Sequence, residues 1–217
     1  MKSNEDDLKN TRRDYNRQIL LEDHAAADPW KQFAAWLEDA RNENIVDYNA
    51  FNLATIDDHG FPQVRVVLLR DTGSNSLTFF TNYNSDKGKQ LNATNKVCAN
   101  FYWSQMERQV RIVGIVEKVK PADSDAYFAS RPRESQLAAW ASVQSAVIRN
   151  REELEANLAK YDKEFEGKEV PRPENWGGYR IMPRLFEFWQ GRPYRLHDRI
   201  VYRLDADFAW FMERLSP

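Results

Sequence analysis

The sequence predicts a mainly β protein with flanking helices, in which the strands form an antiparallel barrel or sandwich. Five consecutive segments rich in β-branched and aromatic residues are joined by short links, and three more follow near the carboxyl end. Short links join antiparallel neighbours, whereas parallel strands need long crossovers. The chain has no G-x-G-x-x-G and no P-loop, which excludes the commonest nucleotide-binding folds.

Composition limits the kind of protein this is. The 217 residues are 42% hydrophobic and 13% aromatic, as in a globular protein with a sizeable core. The formal net charge is only −2, so we expect neither a nucleic-acid nor a membrane partner. No segment reaches the roughly 20 apolar residues of a membrane span, and the first residues lack the apolar core of a signal peptide. We therefore expect a soluble, cytoplasmic protein.

The first part of the chain predicts a tail followed by one domain. Residues 1–27 are polar and irregular, which is typical of a mobile tail, with an active-site cover as the alternative. Asp28 and Pro29 then supply a helix N-cap and a first helical residue. With no internal repeat or low-complexity linker after this point, residues 28–217 are predicted to form a single domain.

The strands are punctuated by turn residues and by one short helix over about 85–94. The turn signal DDHG separates the first two strands and predicts a hairpin. Helical patterns follow Pro121 and extend to about residue 166. The predicted strands are 51–56, 62–70, 77–82, 97–103, 108–120, 179–190, 194–204 and 207–214.

Several polar residues interrupt strands that should otherwise be apolar. Arg65 lies between two valines on a strand that we expect to be well buried, and a buried guanidinium needs an anionic partner. That partner is either a carboxylate in a structural salt bridge or a polar ligand. Gln109 and Arg111 raise the same question on another strand.

Cys98 lies in an apolar run and has no Cys or His at metal-ligand spacing. It is therefore predicted to be a small buried side chain, and no metal site is expected.

Two further clusters could bind an anion. Tyr127, Arg131 and Ser135 are spaced by four residues, which places the first two on one helix face. Together they form either a phosphate site or an ordinary polar surface. In the stretch EFWQGRPYRLHDR, Arg195, His197 and Arg199 occupy every second position, so an extended backbone would direct all three side chains to one face. Such a face would bind an anion or a planar ring, or else be a solvated strand edge.

Eight ordered blocks then reveal a resemblance. They are RVVLLR, FFTNYNSDKGKQ, ERQVRIVG, YFASRPRESQ, the QS pair at 144–145, WGGYR, EFWQGRPYRLHDR and ERLSP. From about residue 12 to residue 217 the chain resembles the pyridoxine/pyridoxamine 5′-phosphate oxidase family. The resemblance implies an antiparallel split β-barrel and a homodimer with flavin mononucleotide (FMN) at its interface. It also implies oxidation of pyridoxine or pyridoxamine 5′-phosphate by O2 to pyridoxal 5′-phosphate, with release of H2O2, and of NH3 from the amine.

The same resemblance assigns roles to individual residues. The implied flavin contacts are Arg65, Val66, Val67, Leu68, Phe80, Thr81, Lys87, Gln109, Gln144, Ser145, Trp189 and Arg199. The implied substrate contacts are Arg12, Tyr15, Arg70, Tyr127, Arg131, Ser135, Arg195 and His197. Of these, Arg195 and His197 are the implied catalytic pair, and Arg12 and Tyr15 belong to a lid from the tail.

Two departures from the family pattern bear on phosphate binding. Arg70 stands where the family often has Lys, which keeps the charge but changes its geometry. Asp86 stands where some relatives have Arg, so no flavin role is expected for it.

Two rival functions share parts of the residue pattern. Another split-barrel flavin oxidoreductase would not need the substrate residues, and a flavin or pyridoxal phosphate carrier would bind without turnover.

Overall fold

The structure is a computed structural model and describes residues 13–217. Its helices and strands are α1 (Pro29–Asn42), β1 (Ala50–Ile56), β2 (Pro62–Leu68), β3 (Leu77–Asn82), α2 (Asp86–Ala93), β4 (Lys96–Trp103), β5 (Arg108–Lys118), α3 (Pro121–Ala129), α4 (Arg133–Ala141), α5 (Arg151–Glu164), β6 (Trp176–Gln190), β7 (Asp198–Leu204) and β8 (Trp210–Leu215). The sheet order is β2-β1-β4-β5-β6-β7-β8, and β3 also pairs with β6. The pairs β1–β2, β1–β4, β3–β6, β6–β7 and β7–β8 are antiparallel, so the predicted mainly β, antiparallel architecture is confirmed.

The described chain divides into two compact units. The first unit contains residues 13–48, Phe101–Arg111 and Leu185–Pro217, and the second contains Asn49–Asn100 and Ile112–Arg184. Strands β4, β5 and β6 contribute residues to both units. The assignment of 28–217 to a single domain stays a prediction.

Helix α1 of the first unit begins where the sequence predicts. The Asp28 carboxylate accepts a hydrogen bond of 2.9 Å from the backbone N–H of Trp30, which satisfies one of the free donors at the helix start. The apolar side of the helix is buried, and the ring of Phe33 packs edge-on against Phe101 with centroids 5.2 Å apart. These aromatic residues therefore belong to a core.

The connection from β6 to β7 differs from the prediction of a strand starting near residue 194. Pro193–Arg195 form a 3-10 turn, and Arg195 has a left-handed backbone with φ of 64°. Strand β7 begins only at Asp198. The predicted alternation of Arg195, His197 and Arg199 on one strand face is therefore wrong, because proline lacks the N–H that a strand ladder requires and favours a turn here.

In the second unit, β1 and β2 form the predicted hairpin, with Ala50 opposite Leu68 and Ile56 opposite Pro62. Strand β2 lies at the edge of the sheet, where Val64 and Val66 are 63% and 64% exposed. The expectation that this strand is well buried is wrong, because an edge strand has a neighbour on one side only and one of its faces is uncovered here.

Helix α2 places Lys87 beside the neighbouring strand β3. The hydroxyl of Ser85 accepts a hydrogen bond from the N–H of Gly88 and so caps the helix. A side chain at position 88 would collide with the backbone carbonyl of Tyr83, so only glycine allows this approach. The tight turn thereby fixes the start of the helix and the direction of Lys87.

None of the helices in residues 13–217 combines the length and apolar character of a membrane span. The same residues contain no group of His, Cys, Asp and Glu side chains arranged to hold a metal ion.

Candidate active site

A cavity of about 490 Å³ lies in the second unit, and most of the predicted flavin and phosphate contacts line it. It contains four cationic side chains and, among the described residues, no carboxylate. Such a lining favours an anionic ligand. The predicted residues that line it are Arg65, Val66, Val67, Leu68, Arg70, Phe80, Thr81, Lys87, Tyr127, Arg131 and Gln144, and the sequence missed Asn82, Ala138, Ala139, Ser142 and Trp176.

Arg65 is held in this cavity by neutral acceptors. Its guanidinium donates to the Leu53 carbonyl at 3.3 Å, the Gln90 amide oxygen at 3.1 Å and the Thr55 hydroxyl. Within residues 13–217 no carboxylate pairs with it, so the salt-bridge interpretation is wrong. Burial lowers the pKa of Arg65, and the negative charge of Asp86 partly opposes that shift. The charge of Arg65 is therefore available to a ligand.

Lys87 is the second cation at this end of the cavity. Its ammonium donates to the Thr81 hydroxyl at 3.1 Å and to the Gln144 amide oxygen at 3.3 Å. Burial and the nearby charge of Arg65 lower the pKa of Lys87, while Asp86 raises it. Arg65 and Lys87 repel each other, and no carboxylate of the described residues lies with them in the cavity lining. An anion that binds next to both would stabilise them.

Arg131 provides the clearest sign of a ligand. Its Nη1 atom is buried without a hydrogen-bond partner among the described residues. The guanidinium lies 4.6 Å from the ring centroid of Trp176, and Tyr127 stacks on Phe80 with centroids 3.9 Å apart. Burial and the charge of Arg70 lower the pKa of Arg131, whereas Tyr127 raises it. A buried guanidinium donor without an acceptor is costly unless an anion completes the site.

Two predicted residues of the second unit lie outside this cavity lining. Ser135 is half-buried in the first turn of α4 and does not line the cavity, so only Tyr127 and Arg131 of that cluster meet there. The Ser145 hydroxyl accepts a hydrogen bond of 3.2 Å from the backbone N–H of Asp86, which links its loop to α2.

A second cavity, of about 610 Å³, lies in the first unit. Tyr15, Arg195 and His197 are the predicted residues that it brings together. The other residues lining it are Arg13, Asp14, Arg192 and Tyr194. Arg12, the remaining predicted lid residue, lies outside the described residues.

His197 is oriented within this second cavity. Its Nδ1 accepts a hydrogen bond of 3.1 Å from the backbone N–H of Arg192, so the neutral ring carries its proton on Nε2. Burial and the charge of Arg195 lower the pKa of His197, and Asp198 opposes them. The ring packs against Trp189 with centroids 4.7 Å apart. His197 is therefore a neutral hydrogen-bond donor at neutral pH.

Arg199 is anchored by an acid that the sequence did not single out. Glu187 is buried; one of its oxygens accepts hydrogen bonds of 2.9 and 2.7 Å from Arg199, and the other pairs with Arg111. Burial would raise the pKa of Glu187, but both arginines lower it below its ordinary value. Arg111 thus has a structural carboxylate partner. Gln109, another predicted flavin contact, is half-buried on β5 of the same unit.

Two of the missed residues left a signal in the sequence. Trp176 opens the WGGYR block, and its ring forms the aromatic floor beneath Arg131. Glu187 is an acid within the apolar alternation of β6, which is typical of a buried charge with a partner. The residues that Trp176 and Glu187 contact could not be named from the sequence, because the packing of distant segments and the register of strands across a sheet are not visible in one sequence.

Comparison with known proteins agrees with the resemblance. Residues 37–163 match the family model "Pyridoxamine 5′-phosphate oxidase", and residues 176–217 match "Pyridoxine 5′-phosphate oxidase C-terminal dimerisation region". A pyridoxine/pyridoxamine 5′-phosphate oxidase from Thermosynechococcus vestitus is 51% identical over 97% of this chain and 99% of its own. Its counterpart from Ralstonia pickettii is 48% identical over the same shares.

Solved structures agree on the fold. PhzG from Burkholderia lata 383, in complex with tetrahydrophenazine-1-carboxylic acid, has a TM-score of 0.86 at 28% identity over 92% of this chain and 98% of its own. An FMN-binding, pyridoxamine 5′-phosphate oxidase-related protein from Nostoc punctiforme has a TM-score of 0.70 at 18% identity, covering 88% and 100% of the two chains. With a family model that matches more than half of its length and relatives near 50% identity, the chain belongs to the pyridoxamine 5′-phosphate oxidase family.

Proposed function

We propose that this protein is an FMN-dependent oxidase that converts pyridoxine 5′-phosphate and pyridoxamine 5′-phosphate into pyridoxal 5′-phosphate with O2. Among the described residues, the observation that carries the proposal is the second-unit cavity, which is lined by four cations and no carboxylate and contains the unpartnered Nη1 of Arg131. Both FMN and these substrates carry a phosphate group, so two anionic groups account for the number of cations. The names of the full-length relatives support the same activity.

The residues at one end of the cavity fit the FMN phosphate. Arg65 and Lys87 supply two positive charges. The Lys87 ammonium donates to Thr81 and Gln144, and it would also donate to an oxygen of the bound phosphate. Bound there, FMN supplies the two-electron chemistry that links substrate oxidation to O2. Arg70, Tyr127 and Arg131 remain for the substrate phosphate.

Two residues of the first unit carry groups suited to a substrate ring. Arg195 offers a flat guanidinium that can stack on a pyridine ring, and the neutral His197 offers an Nε2–H donor. Tyr15 lies against His197 and would exclude water from the first-unit cavity. With O2 as the electron acceptor, the alcohol substrate would give the aldehyde and H2O2. The amine would give H2O2 and an imine, which water hydrolyses to the aldehyde and NH3.

A homodimer with FMN at its interface completes the proposal. Residues 176–217 match a region named for dimerisation. The exposed Val64 and Val66 on the edge strand β2 adjoin the Arg65 cation and offer apolar surface to a second copy. The polar Arg65 would then be buried together with its ligand.

The decisive test is oxygen uptake by the purified, FMN-loaded protein with each phosphorylated vitamer. We expect both to consume O2, with one H2O2 formed for each pyridoxal 5′-phosphate and NH3 from the amine alone. A protein that binds FMN and pyridoxal 5′-phosphate but consumes no O2 would be a carrier, and the proposal would be wrong. Turnover of a nicotinamide cofactor without the vitamers would identify another flavin oxidoreductase.

Asp86 should weaken FMN binding by its charge. Its carboxylate raises the pKa of both Arg65 and Lys87, so it competes with a phosphate for their charges. We expect Asp86→Asn to tighten FMN binding about 2- to 5-fold, the range for an exposed charge pair. Flavin fluorescence titration of the apoprotein measures this effect.

Two comparisons isolate the charge effect of Asp86. Riboflavin lacks the phosphate, so Asp86→Asn should not change its affinity. Asp123→Asn, at an exposed acid in the first turn of α3, should leave FMN affinity unchanged. Weaker FMN binding by Asp86→Asn, or an equal gain for riboflavin, would contradict a phosphate site at Arg65 and Lys87.

A further inference from the structure

Residues 13–18, which we call the strap, form one wall of the first-unit cavity. Arg13, Asp14 and Tyr15 line it together with residues of the turn that carries Arg195. The strap contains no helix or strand, so no backbone ladder holds it. Its arginines donate to the backbone carbonyls of Ser104 and Gln105, and its other hydrogen bonds are made with side chains.

Tyr15 is the strap residue that reaches furthest into the unit. Its ring lies edge-on to Trp189 and to His197, with both pairs of centroids 5.7 Å apart. It also covers Gly191 so closely that a Cβ there would lie 2.7 Å from the Tyr15 Cγ. The cavity wall consequently depends on the strap keeping this position.

One buried carboxylate holds the strap. Oε2 of Glu107 accepts hydrogen bonds from the backbone N–H groups of Asn16 at 2.9 Å and Arg17 at 3.0 Å. Oε1 accepts one from the Arg13 guanidinium at 3.2 Å. The side chain of Glu107 is only 3% exposed, so a strap that moved away would leave a buried charge short of donors.

Glu107 also contacts Gly191, which precedes the cavity-lining Arg192. Its backbone carbonyl accepts a hydrogen bond of 2.7 Å from the N–H of Gly191. Its own backbone is left-handed, with φ of 57°, a conformation that glycine or asparagine adopts more readily than glutamate. Backbone preference therefore does not explain a glutamate here, whereas the three hydrogen bonds of its side chain do.

We propose that Glu107 is a positioning residue for substrate binding. It lines neither of the two cavities, and it acts through the strap by fixing Tyr15 against His197 and Trp189. This inference rests on the proposed function for the identity of the substrate. Within the ERQVRIVG block, the family resemblance implies a role for Gln109 only. The proposal assigns a second role in the same block, to Glu107.

The test is Glu107→Gln in the FMN-loaded protein. The glutamine amide keeps the size of the side chain but loses its charge. Its NH2 group cannot accept a hydrogen bond, so at least one donor of the strap loses its partner. We expect KM for pyridoxine 5′-phosphate to rise about 10-fold, the order of one lost charged hydrogen bond, with kcat changed less than about 2-fold. Trypsin cleavage after Arg17, followed by mass spectrometry, should become about 10-fold faster because the strap opens more often.

Three companion variants separate this role from general stability. Glu43→Gln removes an exposed carboxylate 3.7 Å from the Arg17 guanidinium and should change neither KM nor cleavage. In a Tyr15→Ala background, Glu107→Gln should raise KM little further, because both changes act through the same contact. Asn16→Pro removes one strap N–H without altering Glu107 and should reproduce the effects of Glu107→Gln, even where the latter folds poorly.

Unchanged KM and unchanged cleavage in both Glu107→Gln and Asn16→Pro would overturn the inference. So would a parallel loss of flavin, melting temperature and kcat, which would indicate a general structural role. If the wild-type protein oxidised neither vitamer, the proposed function would fail, and cleavage after Arg17 would still decide whether Glu107 holds the strap.

Discussion

Arg195→Leu is expected to lower kcat/KM for both phosphorylated vitamers about 10²-fold while leaving the flavin content unchanged. Misplacement of a substrate by about 1 Å can cost that factor when two reacting centres must meet. Within residues 13–217, the Arg195 guanidinium has no hydrogen-bond or ion-pair partner and lies on a cavity wall. Its removal should therefore cost the fold little and affect ligand positioning directly.

Steady-state kinetics with O2 uptake, together with the flavin absorbance of each preparation, measures this result. Leucine, like arginine, is unbranched at Cβ, so it should tolerate the left-handed backbone at position 195 about equally well. Arg203→Leu is a matched control, because Arg203 is a partly exposed arginine of the same unit that pairs with Glu213. Equal losses of flavin and activity in Arg195→Leu would place Arg195 on the cofactor and contradict the substrate role.

The fold was largely predictable because its signals are local. Alternating apolar residues and the DDHG turn are properties of neighbouring residues, and the hairpin of β1 and β2 follows from them. The Asp28 cap and the Ser85 cap likewise act within four residues of their partners. Elements of this kind can be located from one sequence because nothing distant decides them.

The failures concern contacts between distant parts of the chain. Arg65 was expected on a well-buried strand, and its acceptors on β1 and α2 depend on strand register and helix position. Tyr194 and Arg195 of the turn were predicted as the start of a strand over 194–204, because Arg195, His197 and Arg199 alternate in sequence. Periodicity alone does not detect a turn whose residues happen to alternate.

The candidate site was predicted in part for the same reason. Residue types and the family resemblance identified the cations, and the structure brings four of them into one cavity. The acids that place functional groups were missed, because Glu187 and Glu107 act on residues that are 12 and about 90 positions away in the chain. For Glu187 the signal was a carboxylate within the apolar alternation of a strand, whereas Glu107 lies in the turn before β5 and gave no such signal.

The largest effect is expected for the substrate phosphate. Arg131→Ala should lower kcat/KM for pyridoxine 5′-phosphate roughly 10²- to 10⁴-fold, because two hydrogen bonds to a charged group contribute about 1.5–3 kcal/mol each. The free Nη1 and the stacking of the guanidinium on Trp176 indicate a donor prepared for a ligand. Unphosphorylated pyridoxine leaves these donors unused, so the wild-type protein should oxidise it far more slowly.

The ratio of kcat/KM for the phosphorylated and free vitamers is the quantity to measure. Arg131→Ala should shrink this ratio mainly by harming the phosphorylated substrate, and Arg131→Lys should fall between the two because it keeps the charge without the fork. Arg151→Ala, which removes an exposed arginine paired with Glu155, should leave the ratio unchanged. A wild-type protein that oxidised both forms with similar efficiency would show that Arg131 binds no substrate phosphate. An unchanged ratio in Arg131→Ala would show the same, and would leave the buried Nη1 of Arg131 to be explained by another anion, such as the FMN phosphate.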